Sequence, residues 1–232
     1  MGLSSLLSLN DEKLTNGGLL LSLLTRKDVK GQKKEVMSLK KKEVLKDGSP
    51  VEIRSLAKAD LDRLMDFYLS LPEADRKYLR VDVTDRKVVE ERLKRIKRGE
   101  LVRIIALKNE KIIADGALEL SPEEWRKHQG ELRVIVSRPF RRKGLGMVMM
   151  RELYFLAVER KVKKVIAKFM RPQAAARKIC RRLGFHEETL VPDYVRDRSG
   201  RAQDLVIMTS NMKDLWTELE HFYSDSDWRR CR

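Results

Sequence analysis

The chain has 232 residues, 42% of them hydrophobic, enough for one substantial core and a small appendage. No stretch is long and apolar enough to span a membrane, and the leucine-rich start (Leu3 to Leu24) lacks a basic segment and a small-residue cleavage site, so a cytoplasmic chain is expected. The net charge of +16, from 51 Lys and Arg against 35 Asp and Glu, would suit nucleic acid, an acidic membrane surface or a multiply phosphorylated cofactor, and equally a basic protein with no such partner.

Residues 1–40 read as a basic leader whose leucines keep no steady period and whose Asn16-Gly17-Gly18 breaks any helix that starts. Order is expected from Lys42, with two alternating runs around Asp47-Gly48 that predict a β-hairpin. Asp60 is placed to cap a helix that buries Leu61, Leu64, Met65, Tyr68 and Leu69 and stops near Pro72. A second helix runs from about Thr84 to Gly99 on Val88, Val89, Leu93 and Ile96. Leu101 to Leu107 and Lys111 to Leu120 form an antiparallel pair turned by Asn109-Glu110, followed by a polar loop or short helix around Trp125.

Leu132, Val134 and Val136 then alternate with Arg133 and Ile135, which predicts a strand ended by Pro139. Leu145 to Arg160 is a helix, Lys164 to Phe169 a strand expected to lie parallel to the previous one, and Gln173 to Leu183 a helix stopped by Gly184. A strand from Phe185 to Leu190, a charged hairpin loop from Tyr194 to Gln203 and a return strand from Asp204 to Thr209 precede a last amphipathic helix carrying Leu215, Trp216, Leu219 and Phe222. The pattern predicts an α/β fold, with residues 41–212 as its domain and 213–232 as a C-terminal helix and tail.

Chemistry concentrates at Arg141-Arg142-Lys143-Gly144-Leu145-Gly146, a basic glycine turn between a strand and a helix. Such a turn points backbone N–H groups and the positive end of a helix at one spot, where a phosphate can sit. Glycines at 144 and 146 remove the Cβ atoms that would hold a bulky anion away. The same pair would also serve a tight turn that binds nothing. No Gly-Lys-Ser/Thr follows, so this is not a P-loop, and the dinucleotide fingerprint Gly-x-Gly-x-x-Gly is absent.

Arg141-x-x-Gly144-x-Gly146 after an apolar strand resembles the acyl-CoA pyrophosphate loop of the GNAT superfamily of CoA-dependent N-acyltransferases. The resemblance extends to Gln173-x-x-Ala176 followed by Gly184-Phe185, and to the acidic-headed strand Asp204-Leu-Val-Ile-Met. It implies a GNAT-like mixed, mostly antiparallel sheet with flanking helices, and an N-acetyltransferase that moves an acetyl group from acetyl-CoA to an amine of a small molecule or protein. By this resemblance Val136 lends backbone groups to the pantetheine arm. Arg141, Arg142, Lys143, Gly144, Leu145 and Gly146 cradle the pyrophosphate, and Gln173, where the family usually has Asn, reaches the arm by its amide.

For catalysis two carboxylates compete as base, Glu119 at the end of one strand and Glu131 at the start of the next; each is also readable as a solvated strand-end acid. The family often places a Tyr one turn before Gly-Phe as general acid, but here that position is Cys180, whose plainer reading is a small buried residue. Tyr194 is the stand-in candidate. His128, His186 and His221 have no metal-ligand spacing, so no metal is expected, and Cys180 with Cys231 makes no disulfide framework. The competing reading is a non-catalytic module that binds acyl-CoA or nucleic acid; against the latter, aromatics are 6% and no recognition motif is present. Acceptor and oligomeric state are not legible.

Overall fold

Eight strands form one sheet in the order β1-β2-β3-β4-β5-β6-β8-β7, antiparallel throughout except for β5 and β6. The strands are β1 (Lys40–Val44), β2 (Pro50–Ser55), β3 (Leu101–Lys108), β4 (Lys111–Leu120), β5 (Gln129–Val136), β6 (Lys164–Met170), β7 (His186–Arg196) and β8 (Ala202–Asn211). The helices are α1 (Leu61–Ser70), α2 (Glu73–Arg76), α3 (Arg86–Lys97), α4 (Leu145–Glu159), α5 (Ala174–Arg182) and α6 (Met212–Asp225). The computed structural model describes residues 39–225. The expected leader lies almost wholly outside them, as do the last residues of the expected tail and Cys231.

Alternation along the strands divides the sheet into two faces. Val102, Ile104 and Ala106 of β3, Leu118 of β4, Leu132 of β5 and Val165 and Ala167 of β6 pack with Val148, Met149 and Leu153 of α4 in one apolar cluster. Leu215 and Leu219 of α6 belong to the same cluster, both fully buried, so the C-terminal helix shares the core of the sheet. Across the sheet, Ile105, Leu107 and Ile112 pack beneath Leu64, Phe67 and Tyr68 of α1 and Val89 of α3. The hairpin at Asn109-Glu110 has both residues at positive φ (49° and 62°), the geometry of a two-residue turn matched to strand twist.

Three details differ from expectation. Leu69 is 54% exposed and Phe67 takes its place in the core, because Leu64, Phe67, Tyr68 and Leu71 share the buried face and Leu69 turns away from it. Asp60 stands at the N-cap of α1 without bonding a helix N–H. Its carboxylate accepts instead from Ala57 N at 2.9 Å and from both terminal nitrogens of Arg54 at 2.6 Å. Finally, β7 runs to Arg196 rather than ending at Leu190, with a register shift between Val191 and Val195. Pro192 and Asp193 (φ 51°) punctuate the sequence like a strand end, yet on an edge strand Pro192 withholds no needed ladder bond.

Candidate active site

The parallel ladder between β5 and β6 consists of Gln129↔Lys164, Gly130↔Val165 and Glu131↔Ile166. Both strands continue beyond it, β5 to Val136 and β6 to Met170, each paired only on its outer side. The sheet therefore opens into a V whose vertex is Glu131, and backbone groups of β5 past that point face the opening without a partner strand. At the open end of the V stands the glycine turn.

That turn is built from residues 141–146. Arg142 (φ 65°) and Gly144 (φ 86°) both take left-handed conformations, which reverse the chain between the short turn Arg138–Phe140 and α4. Gly144 caps α4, and its carbonyl accepts from Met147 N at 3.0 Å and Val148 N at 3.1 Å. The N–H groups of Leu145 and Gly146 precede the first intrahelical donors and stay available to an anion. The two glycines are there for different reasons. Gly144 meets a backbone demand, whereas a Cβ on Gly146 would touch only Val136 Cγ2, at 3.9 Å. Protein packing does not require glycine at 146; the approach of a ligand to the backbone would. The residues present thus fit a pyrophosphate.

Basic side chains around the turn are held by acids of other segments. Arg141 donates from Nη2 to Asp75 Oδ2 at 2.7 Å and from Nε to Val136 O at 2.9 Å, and Arg138 makes two 3.1 Å bonds to Asp75. Those guanidinium hydrogen bonds, Arg138 first and then Arg141, hold the Asp75 carboxyl below its usual range against the opposing effect of burial. Lys143 pairs with Asp47 of the β1–β2 hairpin at 2.8 Å, which pulls Asp47 down to about 2. The carbonyl of Val136, expected to meet pantetheine, is engaged by Arg141.

At the vertex the two candidate bases are cross-strand partners, Glu119↔Glu131, on the face covered by α1 and α3. Like charges directly opposite repel. Cations hold them apart: Glu119 accepts from Arg92 at 2.8 Å and from Arg133, with Arg95 3.7 Å away, while Glu131 pairs with Arg80 and with Lys168 at 3.2 Å. The Glu131–Lys168 pair spans the V from β5 to β6. Burial raises the Glu131 carboxyl, but Arg80 and then Lys168 outweigh it, so the group stays ionised below the ordinary carboxylate range. It is a charged acceptor, not a base of raised basicity.

Beside this row, Tyr68, Arg103 and Asp115 form a closed triad. The tyrosine hydroxyl donates to Asp115 Oδ2 at 2.9 Å, and Arg103 bonds both partners. Burial, reinforced by Asp115, pushes the Tyr68 hydroxyl up to about 12. Sequence reasoning singled out none of Arg80, Arg92, Arg133, Lys168 or the triad as a site residue. The one available signal was polar residues at alternate positions, Glu131-x-Arg133 and Asp115-x-x-x-Glu119, on strands otherwise apolar.

The remaining candidates lie apart from the vertex. Gln173 has its amide oxygen engaged by Met170 N at 2.8 Å, which ties α5 to the end of β6 and leaves the amide nitrogen as the donor. Tyr194 is 67% exposed on β7, with β8 and β6 between it and β5. Cys180 is 6% exposed in the core, and burial pushes its thiol up to about 12. Among the described residues, no three His, Cys, Asp or Glu converge as a metal site.

An open V in a mixed sheet with a helix N-terminus at its mouth defines a class, and comparison with known proteins identifies it. Residues 62–185 match the acetyltransferase (GNAT) family, and the chain belongs to that family. Its fold is similar to that of ribosomal-protein-alanine N-acetyltransferase from Brucella melitensis, with 26% identity and a TM-score of 0.60 over 68% of this chain and 98% of that one. It is also similar to yncA from Salmonella typhimurium, whose structure holds acetyl-CoA (18% identity, TM-score 0.59, 70% and 94% covered). A third similar structure is the ribosomal-protein-S18-alanine N-acetyltransferase of Escherichia coli (19%, 0.54, 70% and 94%). No curated protein matches the chain in sequence.

Proposed function

We propose that this protein is an acetyl-CoA-dependent N-acetyltransferase whose reaction takes place at the vertex of the V. The observation that carries the reading is the junction of the uncrowded backbone at Gly146 with the unpaired edge of β5 leading to Glu131. Acetyl-CoA sits with its pyrophosphate on the N–H groups of residues 144–146 and its pantetheine arm along β5, adding a temporary strand to the opening.

The acceptor enters from the α1–α3 face. Its nitrogen attacks the thioester carbonyl carbon, the developing oxyanion is met by β5 N–H groups, and the C–S bond breaks to release the CoA thiolate. Glu131, ionised, orients the amine and takes its surplus proton directly or through water; the thiolate acquires a proton from solvent. Glu119, held by Arg92 and Arg133, buttresses the row rather than reaching the nitrogen. Cys180, protonated and sealed in the core, donates nothing to the leaving group.

A second reading, a module that binds acetyl-CoA without turnover, draws support from Cys180 at the position where the family usually has tyrosine. Release of free CoA thiol in the presence of amine acceptors separates the two: acceptor-dependent release supports the enzyme. A thermal shift with acetyl-CoA, with no release over a broad acceptor panel, supports the binding module.

A further inference from the structure

The acceptor side of the V carries more positive charge than the acids among the described residues neutralise. Five cations, Arg80, Arg92, Arg95, Arg133 and Lys168, converge there on the carboxylates of Glu119 and Glu131. The further acid beside Arg95 is Glu100, which also pairs with Arg98. One carboxylate, Glu119, therefore answers three guanidinium groups. Arg133 shows the consequence: burial, and next the charge of Arg92, push it down to about 10, and its buried Nε makes no hydrogen bond among the described residues. Arg92 is likewise lowered, first by burial and then by Arg103.

A structural ion-pair network would match its charges, since unmatched buried cations are costly. The cleft is also reachable, because Arg80 and Lys168 keep about a third of their side-chain surface and Arg133 about a fifth. Resting on the acetyltransferase reading above, we infer that the acceptor is an anionic amine, bearing a carboxylate or phosphate next to its nucleophilic nitrogen, which Arg80, Arg133 and Lys168 receive.

The same charges do a second job. A cationic cleft repels an ammonium and favours the neutral amine, the form that attacks a thioester. It therefore disfavours polyamines and lysine-rich segments, which bring only more positive charge. An acceptor with its own anion is drawn in by that group and delivers its nitrogen deprotonated beside Glu131.

The test uses the full chain with acetyl-CoA, following CoA thiol release. C-terminally amidated tripeptides with a free N-terminal alanine followed by two Glu, two Gln or two Lys supply the carboxylate arm. Phosphoethanolamine against ethanolamine supplies the phosphate arm. We expect the anionic member of at least one arm to exceed its neutral partner about tenfold or more in kcat/KM, with the lysine peptide lowest. The advantage should shrink several-fold in about 0.5 M KCl. Arg80→Gln and Lys168→Gln should each cut the acidic-to-neutral ratio about fivefold while leaving the acetyl-CoA thermal shift in place. Calorimetric binding of the same acceptors to the CoA-bound chain reads the same ranking if turnover is slow. Equal or reversed ranking, ratios unmoved by both variants, or no anionic amine bound or turned over would overturn the inference. Absence of any acetyl-CoA thermal shift would instead overturn the acetyltransferase reading on which it rests.

Discussion

The glycine turn and the charged row lie at the two ends of one strand, β5, yet they are built in opposite ways. The turn takes six consecutive residues and, in the function proposed, recognises through backbone N–H groups, while Lys143 and Arg141 are held by Asp47 and Asp75. The row gathers side chains from β4, β5, β6, α3 and the loop that carries Arg80, joined by ion pairs between side chains. A backbone site tolerates almost any substitution that leaves its torsions and space alone. A side-chain site fails or changes selectivity with each charge removed.

The sharpest way to break that contrast is at the glycine that fills no structural need. Gly146→Glu should fold, because its Cβ meets only Val136 at 3.9 Å, yet lose all acetyl-CoA stabilisation. At a hundredfold excess over Kd that stabilisation is about 2.7 kcal/mol, a melting shift of about 5–10 °C in the parent. Differential scanning fluorimetry reads it; a retained shift would move the pyrophosphate seat elsewhere.

Next in size is Glu131→Gln, which should keep the thermal shift and lower kcat/KM about 10²–10⁴-fold. Because Arg80 and Lys168 lower the Glu131 carboxyl despite its burial, its ionised form persists to lower pH than an ordinary glutamate of about 4.3. In the parent, the Glu131-dependent loss of activity should appear only as pH falls through that displaced value. The limb seen nearer neutrality belongs to the acceptor amine. The variant should lack the acidic limb and keep the amine limb. Glu119→Gln should alter rates much less, and a larger effect there than at Glu131 would exchange their roles.

Smaller, and opposite in sign between two residues, are alanine substitutions in the turn. Gly144→Ala places an L side chain at φ 86° and should cost about 1–2 kcal/mol, or about 2–8 °C in Tm for a domain of this size. Gly146→Ala has no such torsion and should raise the Tm of the ligand-free chain by restricting the unfolded state, about 0.4–1 kcal/mol. Its acetyl-CoA shift should nevertheless fall, since the new methyl group occupies ligand space. A pair of melting curves for each variant, with and without acetyl-CoA, checks both signs.

The same contrast explains what could be read in advance. The turn was legible because everything it needs is adjacent in sequence, and the sheet because β3 and β4 are short apolar runs joined by a turn and β5 alternates. Glu119 and Glu131 were found as strand-end acids. Their cross-strand pairing depends on the register of the β4–β5 ladder, and the cations that control them arrive from residues as far away as Arg80 and Lys168. No local spacing encodes that meeting. Tyr68 shows the complementary failure: helical periodicity marked it as an apolar core residue, and it is buried, but its hydroxyl belongs to the Arg103–Asp115 pair. Periodicity reports which face a residue takes and says nothing of what polar atoms find there.

Cys180 supplies the smallest expected effect. In the family's pattern this position holds the residue that protonates the leaving thiolate, so an exposed or activated cysteine here would join the chemistry. Instead it packs with Leu183 and Phe185 in the α4-side core, and burial pushes its thiol up to about 12. A thiol that weakly acidic and that deeply buried neither attacks an electrophile nor hands over a proton at neutral pH. Cys180→Ala should therefore change kcat by less than about threefold, far below the 10²–10⁴-fold typical of lost acid–base catalysis. It should cost about 1 kcal/mol of stability for the small void left behind. Thiol-reactive reagents should label the folded chain at Cys180 only after unfolding. A kcat loss of a hundredfold with Tm near the parent's would return Cys180 to the catalytic group and place the leaving thiolate on the α5 side of the V.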